Sequence, residues 1–372
     1  NAQPFAVQTG HGPLAVAHHW TLTNARGLRL DREKAVSIFH SNRDTETLVH
    51  LIARSNEPRF LDRILEAVSR VEGAYSLLFM SKDQIVAVRD PRGFRPLCLG
   101  FIGGSPSISS ESCAFDLTGG RLVRDIGPGE VIVLGGRRGR GRKSVRSLFP
   151  WGRGEPHVCI FEFIYFALPN SVIEGRSVYE ARIDMGRRLA VEHAVDADVV
   201  IPIPDSGTPA AIGFSRESGI PFDLGLIRSH YVGRTFIEPR SSIRHFGVKL
   251  KLSTIGSIVK GKRVVVTDES IVRGTTSKKI VGMLRKAGAR SIHVRIASPP
   301  TCHPCYYGID TPTRQELIAS SCAVSEIAEY LEVDSLGYLS LEGSKAAAGP
   351  GASGWCDACF SGRYPVPPPR RH

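Results

Sequence analysis

Val264-Val-Val-Thr-Asp-Glu-Ser-Ile-Val-Arg-Gly-Thr-Thr-Ser277 is the stretch on which the fold turns. Val264, Val265 and Val266 form a β-branched run that suits a strand buried on both faces, as in parallel sheets. The run ends in adjacent carboxylates, Asp268 and Glu269. These would sit at the carboxyl end of the strand, where open α/β sheets take their ligands. Gly274 lets the backbone come close to an anion. Thr275, Thr276 and Ser277 bring hydroxyls and N–H groups to the start of a helical pattern, where phosphate is favoured. Together these residues describe an anion site beside a sugar site. The stretch is not a Walker A loop, because its glycine spacing and the Gly-Lys pair are absent. A plain buried strand followed by a capped helix accounts for each residue singly. It does not account for acids, glycine and hydroxyls meeting in one turn.

Working outward, the apolar run from Asp198 to Ile203 leads into Pro204-Asp205-Ser206-Gly207-Thr208, a second turn able to cradle phosphate. Ala181, Met185 and Leu189 lie on one helical stripe, and Ile280 and Leu284 on another. Ser291 to Ala297 reads as a further strand. This strand–helix alternation from about residue 155 predicts an α/β domain with a mainly parallel sheet. The first part of the chain differs. Leu61, Ile64, Leu65 and Val68 share a helical face, while Tyr75 to Met80, Ile85 to Arg89 and Val131 to Leu134 read as strands, which predicts an α+β domain. Gly135 to Arg146, rich in Gly and Arg, reads as a flexible loop or linker. RNA contact through these arginines is the competing reading, weakened by the lack of aromatic residues. Residues 343–354 read as a Gly/Ala/Ser linker, and 365–372 as a disordered basic, proline-rich tail.

The length of 372 residues suits two domains. No apolar run reaches the length of a membrane helix, and no charged-then-apolar leader opens the chain. The net charge of +12 reads mainly as basic surface, compatible with an anionic ligand. Eight cysteines are too sparse for a disulfide scaffold. The pairs Cys302-x-x-Cys305 and Cys356-x-x-Cys359 point to metal or redox chemistry. Cys98, Cys113 and Cys322 read as small buried apolar residues.

The 264–277 segment resembles the phosphoribosyl-pyrophosphate (PRPP) motif of type I phosphoribosyltransferases. Residues 231–237, 251–253, 303–310 and 316–320, with 1–5, 90–97 and 110–116, narrow the resemblance to the amidophosphoribosyltransferase family over nearly the whole chain. The resemblance implies an incomplete N-terminal-nucleophile (class II) glutaminase-like domain over residues 1–150. It implies a type I phosphoribosyltransferase domain over 151–342, then a C-terminal part, 343–372, carrying the linker, the Cys-x-x-Cys pair and the tail. The implied reaction converts PRPP, glutamine and water to 5-phosphoribosylamine, glutamate and pyrophosphate, the first step of purine biosynthesis. Asp205, Ser206 and Gly207 match the pyrophosphate loop. Arg273, Gly274, Thr275, Thr276 and Ser277 match the 5′-phosphate site. Arg234, in a closing loop over residues 228–237, and Lys251 match its cations. A Mg²⁺ ion falls to Ser206, Asp268 and Glu269. Glu269 departs from the second Asp usual in the family, which moves its carboxylate by about 1.5 Å, one carbon–carbon bond. In one branch four cysteines hold a [4Fe–4S] cluster, and the matching positions are Cys159, Cys305, Cys356 and Cys359. A structural Zn²⁺ on the same thiolates is the competing reading. Cys302 departs from the family and would be a spare thiol nearby.

The resemblance also marks departures in the glutamine half. The family uses an N-terminal cysteine as nucleophile. Here Asn1 opens the chain, and no cysteine precedes Cys98. Residues 1–5 resemble a segment well inside the family's domain, so the expectation is an N-terminally truncated chain. His18-His19-Trp20 stands where the family has His-Asn-Gly. Losing an oxyanion-hole donor costs on the order of 10²–10³ in rate. Asp44 matches the acid that binds the glutamine amino group. The expectation is therefore no glutamine hydrolysis, and amination from ammonia at most. The implied partners are PRPP, glutamine or ammonia, purine nucleotides as feedback inhibitors, and further copies of the chain, with neither membrane nor nucleic acid. The implied location is cytoplasmic, or plastid if a precursor carried a transit peptide. An inactive paralogue or pseudogene product that binds PRPP or purine nucleotides without turnover is the main alternative. A salvage-type transferase fits less well, because of the glutaminase-like first third and the four cysteines.

Overall fold

The computed structural model describes residues 3–19, 21–34, 39, 44–138, 142–228, 252–311, 313–349 and 354–369. The first part opens with β1 (Phe5–Thr9) and β2 (Gly12–His19), then α1 (Ala25–Lys34), α2 (Asp44–Ala53) and α3 (Phe60–Val68). Next come β3 (Ser76–Met80), β4 (Gln84–Arg89), β5 (Cys98–Ile102), β6 (Ser105–Ser109), α4 (Cys113–Leu117), β7 (Arg121–Asp125), β8 (Val131–Arg138) and β9 (Arg142–Leu148). One antiparallel sheet runs β1-β2-β3-β4-β8-β9, and a smaller one runs β6-β5-β7. Period-two alternation separates the faces of the larger sheet. Val16, Leu77, Phe79, Val86, Val88, Val131 and Val133 pack against Leu48, Ile52, Ile64 and Val68 of the helices. Ala87, Ile132 and Leu134 pack on the opposite side against Leu97, Leu99 and Ile126.

The second part begins with β10 (Val158–Cys159) and a π-helical turn, Glu162–Phe166. It continues through β11 (Val172–Ile173), β12 (Arg176–Ser177), α5 (Val178–Glu192), β13 (Val199–Pro202) and α6 (Thr208–Ser218). Then follow β14 (Leu226–Arg228), β15 (Leu252–Thr254), α7 (Gly256–Val259), β16 (Arg263–Asp268), α8 (Thr275–Lys286) and β17 (Ser291–Ile296). The last elements are α9 (Val324–Leu331), β18 (Ser335–Tyr338), α10 (Leu341–Ala348), β19 (Trp355–Cys356) and α11 (Ala358–Ser361). The sheet β13-β16-β17-β18 is parallel throughout. Its central strand, β16, is buried on both faces, which is why it reads as consecutive valines. Val265 and Val200 face Met185, Leu189, Phe214 and Ala347. Val264 and Val266 face Ile280, Leu284, Ile327 and Leu331. The fold is thus an α+β part followed by an α/β part with a parallel sheet, as the patterns predict.

Three stretches differ from expectation. Most of Gly135–Arg146 is not loop but the paired ends of β8 and β9, with Leu134 opposite Val145 and Val131 opposite Leu148. Those apolar cross-strand pairs carry the arginines along with them. Residues 343–348 of the supposed linker belong to α10, whose first turn is capped by the Ser340 hydroxyl accepting from the Gly343 N–H. Its alanines are strong helix formers and bury against α5. Residues 365–369 of the tail are also placed. The Val366 N–H donates to the Tyr307 hydroxyl at 2.9 Å, and that hydroxyl donates to the Val366 carbonyl. Of the three cysteines read as buried, Cys98 and Cys113 are, while Cys322 is half-buried.

Helices α5 and α6 cross at two glycines. A Cβ on Gly186 would lie 2.0 Å from the Ala210 carbonyl oxygen, and one on Gly213 would lie 1.9 Å from that of Ile183. Gly213→Ala should therefore destabilise the chain by about 1–3 kcal/mol through overpacking, despite alanine's better helix propensity. Gly282 on α8 has open space around its Cβ direction, so Gly282→Ala should stabilise by about 0.5–1 kcal/mol. Urea unfolding of both variants checks the opposite signs.

Candidate functional site

Strand β16 delivers Asp268 to the carboxyl end of the parallel sheet. The turn after β13 comes beside it, because Gly207 has no side chain to hold it off. A Cβ there would meet the Thr267 carbonyl oxygen at 2.5 Å. The Ile203 N–H donates to that same carbonyl at 2.9 Å. The peptide between Pro204 and Asp205 is cis. With the two backbones in contact, the Ser206 hydroxyl donates to the Glu269 carboxylate at 2.8 Å, and the Glu269 N–H donates to the Asp268 carboxylate at 2.9 Å. Burial, and then the adjacent Glu269 charge, lift the Asp268 carboxyl well above the usual carboxylate range. An acid pair of this kind, with Asp268 buried and Glu269 half-buried, gains from a cation. Asp268, Glu269 and the Ser206 hydroxyl form an oxygen donor set that suits Mg²⁺, which fills its shell with water and substrate oxygens.

The next turn is also backbone-held. Gly274 has φ +74°, and its Cβ position would press on Ile318 and Tyr330. The Ile318 N–H donates to the Val272 carbonyl at 3.0 Å. Helix α8 starts there with Thr275 and Thr276 exposed and Ser277 buried. Arg273 is exposed and pairs with Glu316 at 3.0 Å. Asp205 is exposed and accepts from Arg228 at 2.8 Å. Arg234 and Lys251 lie outside the described residues.

Two cations near this site escaped the sequence reading. Arg228 stands at the end of β14, where nothing in sequence announces its Asp205 partner. Arg182 interrupts the apolar stripe of α5 yet is buried, donating to the carbonyls of Phe163 and Ala167, each at 2.8 Å. The carboxylates acting on it are, strongest first, Glu269, Glu162 and Glu111. It therefore lies between the acid pair and the junction of the two parts. A charged residue inside a buried stripe was the available signal.

The four cysteines singled out in sequence share one neighbourhood. Strand β10 pairs in parallel with β19, which sets Cys159 opposite Cys356. The Cys302 and His303 N–H groups donate to the Cys359 carbonyl at 3.1 and 3.0 Å, which brings the Cys305 segment against α11. Burial raises the Cys159 thiol to about 11. Burial and the neighbouring sulfurs lift Cys356 and Cys359 well above the thiol range. Backbone amides oppose this. The Tyr307 N–H donates to the Cys305 sulfur at 3.3 Å, and the amides of Phe161 and Ala358 favour the thiolates of Cys159 and Cys356. Amides aimed at crowded sulfurs fit thiolate ligation of a metal centre. Among the described residues, no three His, Cys, Asp or Glu side chains close to single-ion distances.

The glutamine-side residues lie at the start of the front sheet and helices. The Asp44 carboxylate is half-buried and accepts from the Leu22 N–H at 2.9 Å. Burial raises its proton affinity. His18 is buried and lowered to about 4 by burial. His19 is exposed, with its ring 6.4 Å from Phe166 of the π-helical turn. Trp20 lies outside the described residues.

Residues 1–116 match a family of glutamine amidotransferase domains. The chain is 50% identical over 369 residues to amidophosphoribosyltransferase 1, chloroplastic, of Arabidopsis thaliana, covering 99% of this chain and 64% of that protein. It is also 50% identical to the chloroplastic amidophosphoribosyltransferase of Vigna aconitifolia, covering 75% of it. The solved glutamine PRPP amidotransferase of B. subtilis, complexed with ADP and GMP, superposes with a TM-score of 0.91 at 45% identity, covering 99% of this chain and 80% of that one. The chain thus spans under two thirds of the Arabidopsis relative. No helix among the described residues is long and apolar enough to cross a membrane. Identity of this level along both parts, over three quarters of the Vigna protein, places the chain in the amidophosphoribosyltransferase family.

Proposed function

We propose that this chain aminates PRPP, releasing pyrophosphate and forming 5-phosphoribosylamine, the phosphoribosyl-transfer half of the amidophosphoribosyltransferase reaction in purine biosynthesis. The observation that carries the reading is the Ser206–Glu269 hydrogen bond, formed where Gly207 lies against Thr267. It joins a phosphate-cradling turn to an acid pair at the carboxyl end of a parallel sheet. In the full reaction glutamine supplies the ammonia, with Asp44 gripping its amino group. Purine nucleotides as inhibitors and assembly of several copies belong to the same proposal, supported by the ADP and GMP named with the B. subtilis relative.

In this mechanism ammonia attacks the anomeric carbon. The new C–N bond forms as the C–O bond to pyrophosphate breaks, and the amine then loses a proton. The transition state spreads positive charge over the ribose ring, as in glycoside cleavage. The chain's contribution is position and charge rather than a nucleophile. Gly274 and the hydroxyls and amides of Thr275, Thr276 and Ser277 seat the 5′-phosphate on the N-terminus of α8. Arg273, with Glu316 displaced, adds a cation. The 205–207 turn receives pyrophosphate, with Arg228 beside it. Asp268 and Glu269 orient the ribose hydroxyls. Mg²⁺, when bound at Asp268, Glu269 and Ser206, neutralises charge on the departing pyrophosphate. Arg234 and Lys251 complete the proposed cation set.

We further propose that Cys159, Cys305, Cys356 and Cys359 hold a [4Fe–4S] cluster, with structural Zn²⁺ as the competing occupant. The burial of Cys159 and Cys356, the placing of Cys305 and Cys359 beside them and the amides directed at the sulfurs support a thiolate centre of structural role.

Incubation with PRPP, Mg²⁺ and ammonia should release pyrophosphate. PRPP binding without release would favour the non-catalytic reading instead. Asp268→Asn should lower the rate by about 10²-fold or more. Glu269→Asp retracts the carboxylate by about 1.5 Å and should change the PRPP concentration needed for half-maximal rate. Unchanged kinetics in that variant would show that the extra methylene is immaterial. A proton competes with the cation at Asp268, whose proton affinity is raised, so the Mg²⁺ needed for half-maximal rate should rise as pH falls. Iron and acid-labile sulfide should be found in protein purified without oxygen, and zinc alone would decide for the competing occupant.

A further inference from the structure

Cys159, Cys305, Cys356 and the junction between the two parts share one guanidinium, that of Arg95. Its side chain is completely buried, and its Nη1 lies 2.6 Å from the Glu162 carboxylate, itself buried. It lies over the Phe166 ring at 5.1 Å. The Cys159 N–H donates to the carbonyl of Phe94, the residue before Arg95, at 3.0 Å. Cys159 and Glu162 stand three residues apart where β10 runs into the π-helical turn. Cys159 and Cys305 are among the acidic groups that act most strongly on Arg95, and Arg95 in turn favours the thiolates of Cys159 and Cys356. Lys345 and Arg363, the cations beside α11, are engaged with Asp357.

Four thiolates around either proposed core leave roughly two negative charges in a buried site. Such a centre needs a counter-charge nearby. We propose that Arg95 is the counter-cation of the four-cysteine centre, and that Glu162 sets how much of its charge the sulfurs feel. Both are positioning residues rather than ligands. This rests on the metal-centre reading of the four cysteines.

The two side chains pull in opposite electrostatic directions, which separates this role from a purely structural one. In anaerobically purified full chain, iron release to a chelator is timed and the midpoint potential of the centre is measured. Arg95→Met should speed iron loss by about 10-fold or more and lower the potential. Glu162→Gln frees the guanidinium's field, so it should slow iron loss and raise the potential. Arg95→Lys keeps the charge and should lie between wild type and Arg95→Met. If both Arg95→Met and Glu162→Gln speed release, or neither moves the potential, the pair only holds the junction together and the proposal fails. If wild type carries zinc instead, zinc release is timed and the same opposed signs are required. Wild-type protein without iron or zinc would overturn the metal-centre reading, and this inference with it. A metal-bearing wild type whose variants move the same way overturns the inference alone.

Discussion

The contact of Gly207 with the Thr267 carbonyl is the constraint on which the site depends. A single methyl group there would push the turn after β13 away from β16, and the hydroxyl of Ser206 would no longer reach Glu269. The constraint extends backward through the chain. The turn leads into α6, and α6 is held against α5 by contacts that only Gly186 and Gly213 permit. Helix α5 then carries Arg182, whose hydrogen bonds hold the π-helical turn. Three glycines thus set the backbone contacts that run from the acid pair to α5, and the Arg182 side chain completes the path to the junction.

The junction is held by buried charge rather than by apolar surface alone. Arg89 donates to the carbonyls of Gly93, Arg95 and Ile126 and pairs with Glu174. Glu111 accepts from the Leu168 N–H and the Ser171 hydroxyl. Phe94 stacks on Tyr307 with ring centroids 4.3 Å apart. Such polar contacts tolerate little displacement, because a partly separated buried ion pair is costly. They therefore favour one relative placement of the two parts more sharply than an apolar interface of equal area would.

Much of this was legible in sequence where chemistry and local pattern coincide. The β16 turn combines a β-branched run, two acids and a helix start within fourteen residues, so neighbours in space are neighbours in the chain. The cysteine spacing announced a shared site for the same reason at 356 and 359. Arg182 and Arg228 were missed because their partners lie on other elements, beyond the reach of helix or strand periodicity, and tertiary packing brings them together. The pairing of residues 135–138 with 142–146 was missed because its strand character comes from Val145 and Leu148 pairing with β8, not from its arginines. Helix α10 was hidden by composition. Alanine and serine suit a linker as well as a helix, and burial against α5 decides between them.

The pairing of β10 with β19 joins residues nearly two hundred positions apart. At ribosomal speeds of 5–20 residues per second, Cys159 emerges roughly 10–40 s before Cys356. During that interval it has neither its strand partner nor the Cys359 sulfur of α11. The four cysteines can meet only after β19 and α11 have been made. Meeting of the four cysteines thus requires that the chain has been made through residue 359. A polypeptide that stops just before residue 359 has every strand of the parallel sheet yet lacks this one knot.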